Sequence, residues 1–72
     1  MEKPLEVNKA NRRDLLHIPG IGPKGADAIL LARRHSTLRN LSSLHKLGIF
    51  AERAAPFILL NGRQMSYQMN LL

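Results

Sequence analysis

Polar and apolar residues recur at helical spacing near the start of the chain. In the segment VNKANRRDLLHI, Asn11 is a favourable N-cap and Asp14 stands three residues later, as in a capping box. Two leucines and an isoleucine then supply one apolar face. The pattern predicts a short helix over residues 12–18.

A second helix is predicted to follow almost at once. Pro19 and Gly20 end the first helix. Pro23 begins the next one, because proline fits the first helical position, where its missing N–H costs nothing. Apolar residues at helical spacing continue the pattern to about Arg34.

The second half of the chain predicts two further helices and an ambiguous tail. Asn40 can cap a third helix, which Gly48 ends. A fourth helix is expected near residues 51–60, where Pro56 either kinks it or lies within its first turns. Residues 63–72 fit a strand, a helix or a disordered end, so no element is assigned there.

An internal repeat supports this layout. We use "first hairpin" for residues 18–26 and "second hairpin" for residues 46–54. A shift of 28 residues superposes five pairs: Leu16 on Leu44, Gly20 on Gly48, Ile21 on Ile49, Ala26 on Ala54 and Ile29 on Phe57. The second hairpin is degenerate, with Phe50 in place of Gly22 and no proline before its glycine. The prediction is an all-α domain of four to five short helices over residues 8–62, with an N-terminal extension (residues 1–7) and the tail.

Charge and composition narrow the class of partner. Eleven Lys and Arg against five Asp and Glu give a formal net charge of +6 in 72 residues. Such a bias favours a polyanion, with nucleic acid ahead of acidic lipid; an ordinary basic protein is the alternative. The absence of cysteine excludes disulfides and thiolate metal sites. No segment is typical of a secretory signal or a membrane span, so we expect a cytoplasmic or nucleoid-associated protein with no membrane partner.

The first hairpin has the composition of an anion site. Gly20 and Gly22 permit positive φ and let a ligand approach the backbone. The N–H groups of Lys24, Gly25 and Ala26 lie in the first turn of the second helix, where unpaired amides and the helix dipole favour negative charge. Lys24 adds a positive side chain. The alternative is a tight connector between two packed helices.

The segment LLHIPGIGPKGADAI resembles the helix-hairpin-helix motif. Its fixed positions are met by Leu15, Ile18, Pro19, Gly20, Ile21, Gly22, Ala26 and Ile29. Residues 8–62 resemble the tandem form of this domain, and VNKANRRDLLHIPGIGPKGADAI is similar to ComEA-like competence proteins. The remainder resembles a C-terminal domain of radical-SAM proteins with a suspected role in DNA modification or repair.

This resemblance implies non-sequence-specific binding of double-stranded or junction DNA through its phosphates. It implies an accessory module, attached covalently or non-covalently to an enzyme of DNA repair, recombination, uptake or modification. The implied amide donors are Gly20, Gly22, Lys24 and Gly25, within a binding segment that also contains Ile21 and Ala26. A monovalent cation (K⁺ or Na⁺) is implied at the backbone carbonyls of Leu16, Ile18 and Ile21.

The other basic side chains give weaker predictions of DNA contact. Arg53 falls on Gly25 under the repeat shift and can replace a backbone contact with a side-chain one. Arg33 and Arg34 suit a helix C-terminus as well as a DNA contact. Arg12 and Arg13 precede the first hairpin, and the rest are interpreted as solvated charge: Arg39, Lys46 and Arg63.

No catalytic constellation is present in the sequence, so the chain is predicted not to be an enzyme. The histidines have no ligand spacing, and the carboxylates form no acid–base pair. With one Tyr, two Phe and no Trp, no stacking platform for splayed bases is expected, which argues against sequence-specific RNA recognition. The alternative to a DNA-binding module is a protein-interaction or dimerisation domain that uses the apolar tail residues Met65, Tyr67, Met69 and Leu71.

Overall fold

A computed structural model of the protein describes residues 3–64, which contain both helices and strands. None of the helices in this part of the chain is long and apolar enough to cross a membrane. The elements in chain order are β1 (Leu5–Glu6), α1 (Arg12–Leu16), α2 (Gly22–Ala32), α3 (Leu41–Lys46), α4 (Ala51–Ala54), a 3-10 turn (Ala55–Phe57), β2 (Ile58–Leu60) and β3 (Arg63–Gln64).

The first three helices are confirmed within a few residues of their predicted bounds. Asn11 caps α1, since its side-chain oxygen accepts the N–H of Asp14 at 2.9 Å. Asn40 caps α3 in the same way, and accepts the N–H of Ser43 at 3.0 Å. These caps satisfy donors that have no partner inside a helix, which explains why the starting points were visible in the sequence.

The all-α prediction is wrong, because the expected fourth helix near residues 51–60 gives way to a strand. α4 has four residues, and Pro56 cannot donate a hydrogen bond to continue it, so the chain forms one 3-10 turn. The backbone becomes extended at Ile58 and stays so to Leu60. The resulting β2 is the central strand of a three-stranded mixed sheet, parallel to β1 and antiparallel to β3.

A two-residue turn joins β2 to β3. Asn61 and Gly62 both have positive φ, of 57° and 80°, and they separate the paired residues Leu60 and Arg63. Asn-Gly between two extended segments strongly favours such a turn, so this hairpin has a local signal that the helical interpretation overlooked. β3 covers the first two residues of the predicted tail, and its apolar residues from 65 onward lie outside the described residues.

Glu6 connects the first strand to this turn. Its carboxylate accepts the N–H of Gly62 at 2.6 Å and the N–H of Asn61 at 3.1 Å, and it also accepts the backbone and side-chain N–H groups of Asn8. Burial raises the pKa of Glu6, but hydrogen bonds from Asn8, Gly62 and Asn61 outweigh burial and hold the pKa below its ordinary value of 4.5.

Glu6→Gln is expected to lower the free energy of unfolding at neutral pH by about 2 kcal/mol, because charge-assisted hydrogen bonds are lost and an amide NH₂ cannot accept. The depressed pKa makes this contribution complete above about 4.5 and removes it as the pH falls through the folded-state pKa. Urea denaturation at neutral and acidic pH should therefore give a gap between wild type and variant that closes in acid. Glu52→Gln, at an exposed carboxylate, is the matched control; equal losses in both variants would contradict this role of Glu6.

The core includes the N-terminal segment that the sequence set apart as an extension. Val7 is fully buried together with Leu15, Leu44 and Ile58. Arg33, at the end of α2, donates from Nη1 to the carbonyls of Val7 at 2.8 Å and Ala10 at 2.7 Å. Its guanidinium is therefore engaged in holding the start of the chain against α2.

The internal repeat is real at the hairpins. Gly20 and Gly48 both have positive φ, of 88° and 83°. Ala26 and Ala54 are both fully buried. These pairs keep the predicted shift of 28 residues.

The predicted pairing outside the hairpins is wrong by one residue. Leu44 is fully buried, whereas Leu16 is 36% exposed; the buried residue of α1 is Leu15, one position earlier. At the far end, Phe57 is half-exposed while the next residue, Ile58, is buried. The sequence does not reveal this offset, because Leu15 and Ile58 are each next to another apolar residue. A shift of 28 residues therefore fits the apolar pattern as well as a shift that is one residue longer.

Candidate nucleic-acid interface

The first hairpin presents a bend with free backbone donors. Gly20 and Gly22 have positive φ, of 88° and 66°, and Ile21 donates its N–H to the carbonyl of Ile18 at 3.2 Å. The N–H groups of Gly20, Gly22 and Lys24 make no well-formed hydrogen bond to any of residues 3–64. Gly22 and Lys24 are exposed at the start of α2, so these donors and the dipole of an eleven-residue helix meet at one surface.

The three glycines of this hairpin do not all serve the same structural purpose. A Cβ atom on Gly22 would meet nothing within 4 Å, so this glycine leaves open space. A Cβ on Gly20 would lie 2.6 Å from the carbonyl oxygen of Phe50, and one on Gly25 would lie 2.9 Å from Cγ1 of Ile49. Gly20 and Gly25 therefore allow the second hairpin to pack closely, and only Gly22 opens the backbone toward solvent.

The second hairpin uses its donors internally. Gly48 donates to the carbonyl of His45 at 3.0 Å and Ile49 to that of Leu44 at 3.2 Å. The N–H of Phe50 donates to the carbonyl of Gly20 at 3.1 Å, a bond that connects the two hairpins. Because the equivalent position in the first hairpin, Gly22, makes no such bond within residues 3–64, the two repeats differ in their hydrogen bonding.

Some of the predicted site residues lie inside the protein. Ile21, Gly25 and Ala26 are buried. Ala26 is also the fifth residue of α2, where an amide can bond to a carbonyl of its own helix. Of the predicted donors, Gly20, Gly22 and Lys24 are brought together on an accessible surface, and Gly25 is not.

Arg53 lies beside the first hairpin. Its Cβ is 3.1 Å from the position that a Cβ on Gly20 would take, and the residue is exposed. The sequence repeat aligned Arg53 with Gly25, but the structure brings it against Gly20. The side chain of Arg53 therefore begins next to the free N–H groups of the first hairpin.

The two hairpins border one shallow groove on the surface. Phe50, which stands in place of Gly22 in the second hairpin, lines this groove with 64% of its surface exposed. The groove is lined by Gly20, Ile21, Gly22, Pro23, Lys24, Gly25, Leu47, Gly48 and Phe50. The sequence analysis did not predict Phe50 as a contact residue. Its position at the apex of the second hairpin could have indicated that it is exposed.

The three carbonyls predicted for a cation lie at the same bend. The oxygen of Ile18 accepts the N–H of Ile21, and the oxygen of Leu16 accepts no hydrogen bond from residues 3–64. Ile21 immediately precedes α2. A carbonyl oxygen has two lone pairs and can accept one hydrogen bond while it contacts a cation, so the monovalent ion stays a prediction.

Other charged side chains contact each other. Arg12 donates from Nε to Asp27 at 2.7 Å; this hydrogen bond raises the pKa of Arg12 and lowers the pKa of Asp27. Nε2 of His45 lies 3.8 Å from Glu52. Within the described part of the chain no group of three or more His, Asp or Glu is arranged to hold a metal ion.

Comparisons with known proteins give no match to a family model, to a curated protein or to a solved structure.

Proposed function

We propose that this protein binds the phosphate backbone of duplex or junction DNA, without sequence preference, through the first hairpin. The observation that carries the proposal is the set of free amides at Gly20, Gly22 and Lys24, gathered at the start of α2 where no side chain covers Gly22. Unpaired amides at a helix start, with the positive end of its dipole, bind phosphate oxygens.

Side-chain charge supports the same partner. Lys24 belongs to the bend itself, and Arg53 emerges beside Gly20. The chain as a whole has a formal charge of +6, which attracts a polyanion over longer distances. An acidic small molecule would need a more enclosed site than this shallow groove, whereas a nucleic-acid strand lies along an open surface.

Contacts of this kind position a protein and do not read sequence. Amides and lysine recognise phosphates that are the same at every base pair. We therefore propose an accessory role, in which the module holds a DNA-processing partner on its substrate and contributes no catalysis. A K⁺ or Na⁺ ion at the carbonyls of Leu16, Ile18 and Ile21 would add one positive charge facing a phosphate.

Salt dependence tests the proposal directly. If three or four phosphates are engaged, the logarithm of the association constant for a mixed-sequence duplex should fall with log[salt] at a slope of about −3 to −4. Fluorescence anisotropy at several salt concentrations measures this slope. A flat dependence would overturn the phosphate contact and favour the alternative of a protein-interaction domain.

An NMR titration locates the contact. The amide signals of Gly20, Gly22 and Lys24 should shift on addition of DNA, whereas those of Gly48 and Ile49 should shift less because their N–H groups are already bonded within the protein. Shifts confined to the tail, with none at the first hairpin, would contradict the assignment.

A further inference from the structure

Phe50 is a large apolar side chain held at a turn apex without support from the core. It is 64% exposed and is not one of the apolar residues packed against the buried cluster. Its backbone is well fixed, since its N–H donates to Gly20 at 3.1 Å and its carbonyl accepts the N–H groups of Arg53 and Ala54. The structure therefore exposes an aromatic ring to solvent at a position where hydrogen bonds fix the backbone.

The ring adjoins the proposed phosphate site. The Cβ of Phe50 is 3.3 Å from the position of a Cβ on Gly20, and Phe50 lines the same groove as Gly22 and Lys24. Arg53 emerges on the same side of Gly20. Lys24 is the charged residue among those that line the groove, and the nearby carboxylate of Glu52 lies 3.8 Å from Nε2 of His45.

This surrounding chemistry favours a nucleobase over an apolar protein segment as the partner of the ring. An aromatic ring next to phosphate-binding groups suits a nucleic-acid strand, in which each phosphate has a base attached through its sugar. In a fully paired duplex the bases are stacked and a ring can enter only by unstacking them. An unpaired base is available without that cost.

We propose that Phe50 stacks on an unpaired base next to the phosphates held by the first hairpin, so that the protein prefers DNA containing an unpaired base over fully paired DNA. This inference rests on the proposed function. One ring serves one base, which agrees with the scarcity of aromatic residues in the chain.

The test compares two labelled DNAs and three proteins. The DNAs are a short fluorescein-labelled duplex and the same duplex with one unpaired adenine; the proteins are wild type, Phe50→Ala and Leu31→Ala. Leu31 is 61% exposed on α2 and is absent from the lining of the groove, so it controls for the loss of an exposed apolar side chain. Circular dichroism checks that each protein is folded.

Wild type should bind the DNA with the unpaired adenine about tenfold more tightly than the duplex, as expected for one stacked base. Phe50→Ala should remove this preference by weakening binding to the DNA with the unpaired adenine more than binding to the duplex, and Leu31→Ala should keep it. A fluorescent adenine analogue at the unpaired position should be quenched by wild type and not by Phe50→Ala. Equal binding of both DNAs by wild type, or an equal loss on both DNAs in Phe50→Ala, would overturn the stacking role alone; no binding to either DNA would overturn the proposed function with it.

Discussion

Gly22→Ala is expected to weaken binding to duplex DNA by about tenfold to a hundredfold, as when contacts worth about 1.5–3 kcal/mol are lost. The added methyl group would project into the space above the first hairpin, where nothing lies within 4 Å in the free protein. In the proposed complex, that space is the route by which a phosphate reaches the N–H groups of Gly22 and Lys24. Anisotropy titrations at one fixed salt concentration measure the loss.

Gly48→Ala is the matched control for this variant. Gly48 also has positive φ, of 83°, and a Cβ there also meets nothing within 4 Å. Both alanines should therefore cost about 1–2 kcal/mol of folding stability through backbone strain. Gly48 lines the same groove, but its N–H is already bonded to His45, so its variant should lose less DNA affinity than Gly22→Ala. Equal affinity losses in the two variants would argue against a special role for the first hairpin.

Gly20→Ala is expected to cost about 4 kcal/mol of folding stability, since a backbone clash and a lost hydrogen bond add to the strain of positive φ. The Cβ would lie 2.6 Å from the carbonyl oxygen of Phe50, which has no flexible end to move away. Relief of that contact separates the hairpins and breaks the bond from the N–H of Phe50 to the carbonyl of Gly20. Small domains have only about 5–15 kcal/mol to lose, so much of the protein should unfold on mild heating.

Gly48→Ala is also the control for this loss of stability. Its backbone has a similar positive φ, but its Cβ would not clash with a neighbouring atom. Thermal and urea denaturation of both variants should show the Gly20 variant as clearly the less stable. If the two lose the same stability, strain at positive φ explains both, and the close packing of the hairpins contributes little.

The two hairpins show how one repeat can serve two purposes. The second hairpin has its amides bonded within the protein and contributes Phe50 and Ile49 to the junction, while the first has free amides at its exposed edge. Gly20 and Gly25 make that junction possible by having no side chains. A motif with three glycines thus has two that serve packing and one that serves access.

Local signals in the sequence were sufficient for the helices of the first two-thirds of the chain. Asn11 and Asn40 cap helices because their side chains reach amides three residues ahead, and Pro23 fits a helix start wherever it occurs. These interactions involve neighbours in the chain. The location of the free bend at Gly22 followed from the same kind of local reasoning.

The sequence by itself therefore determined the caps, the helix starts and the bend, since each depends on residues a few positions apart. Tertiary structure decided the rest: the sheet, because β1 and β2 pair across more than fifty residues; the role of Arg33, because its acceptors belong to the N-terminal segment; and the burial of Gly25, because Ile49 packs on it. From its type alone, a residue could pair, bond or pack with several partners along the chain. Only the folded chain selects one, by burying the apolar faces that fit together.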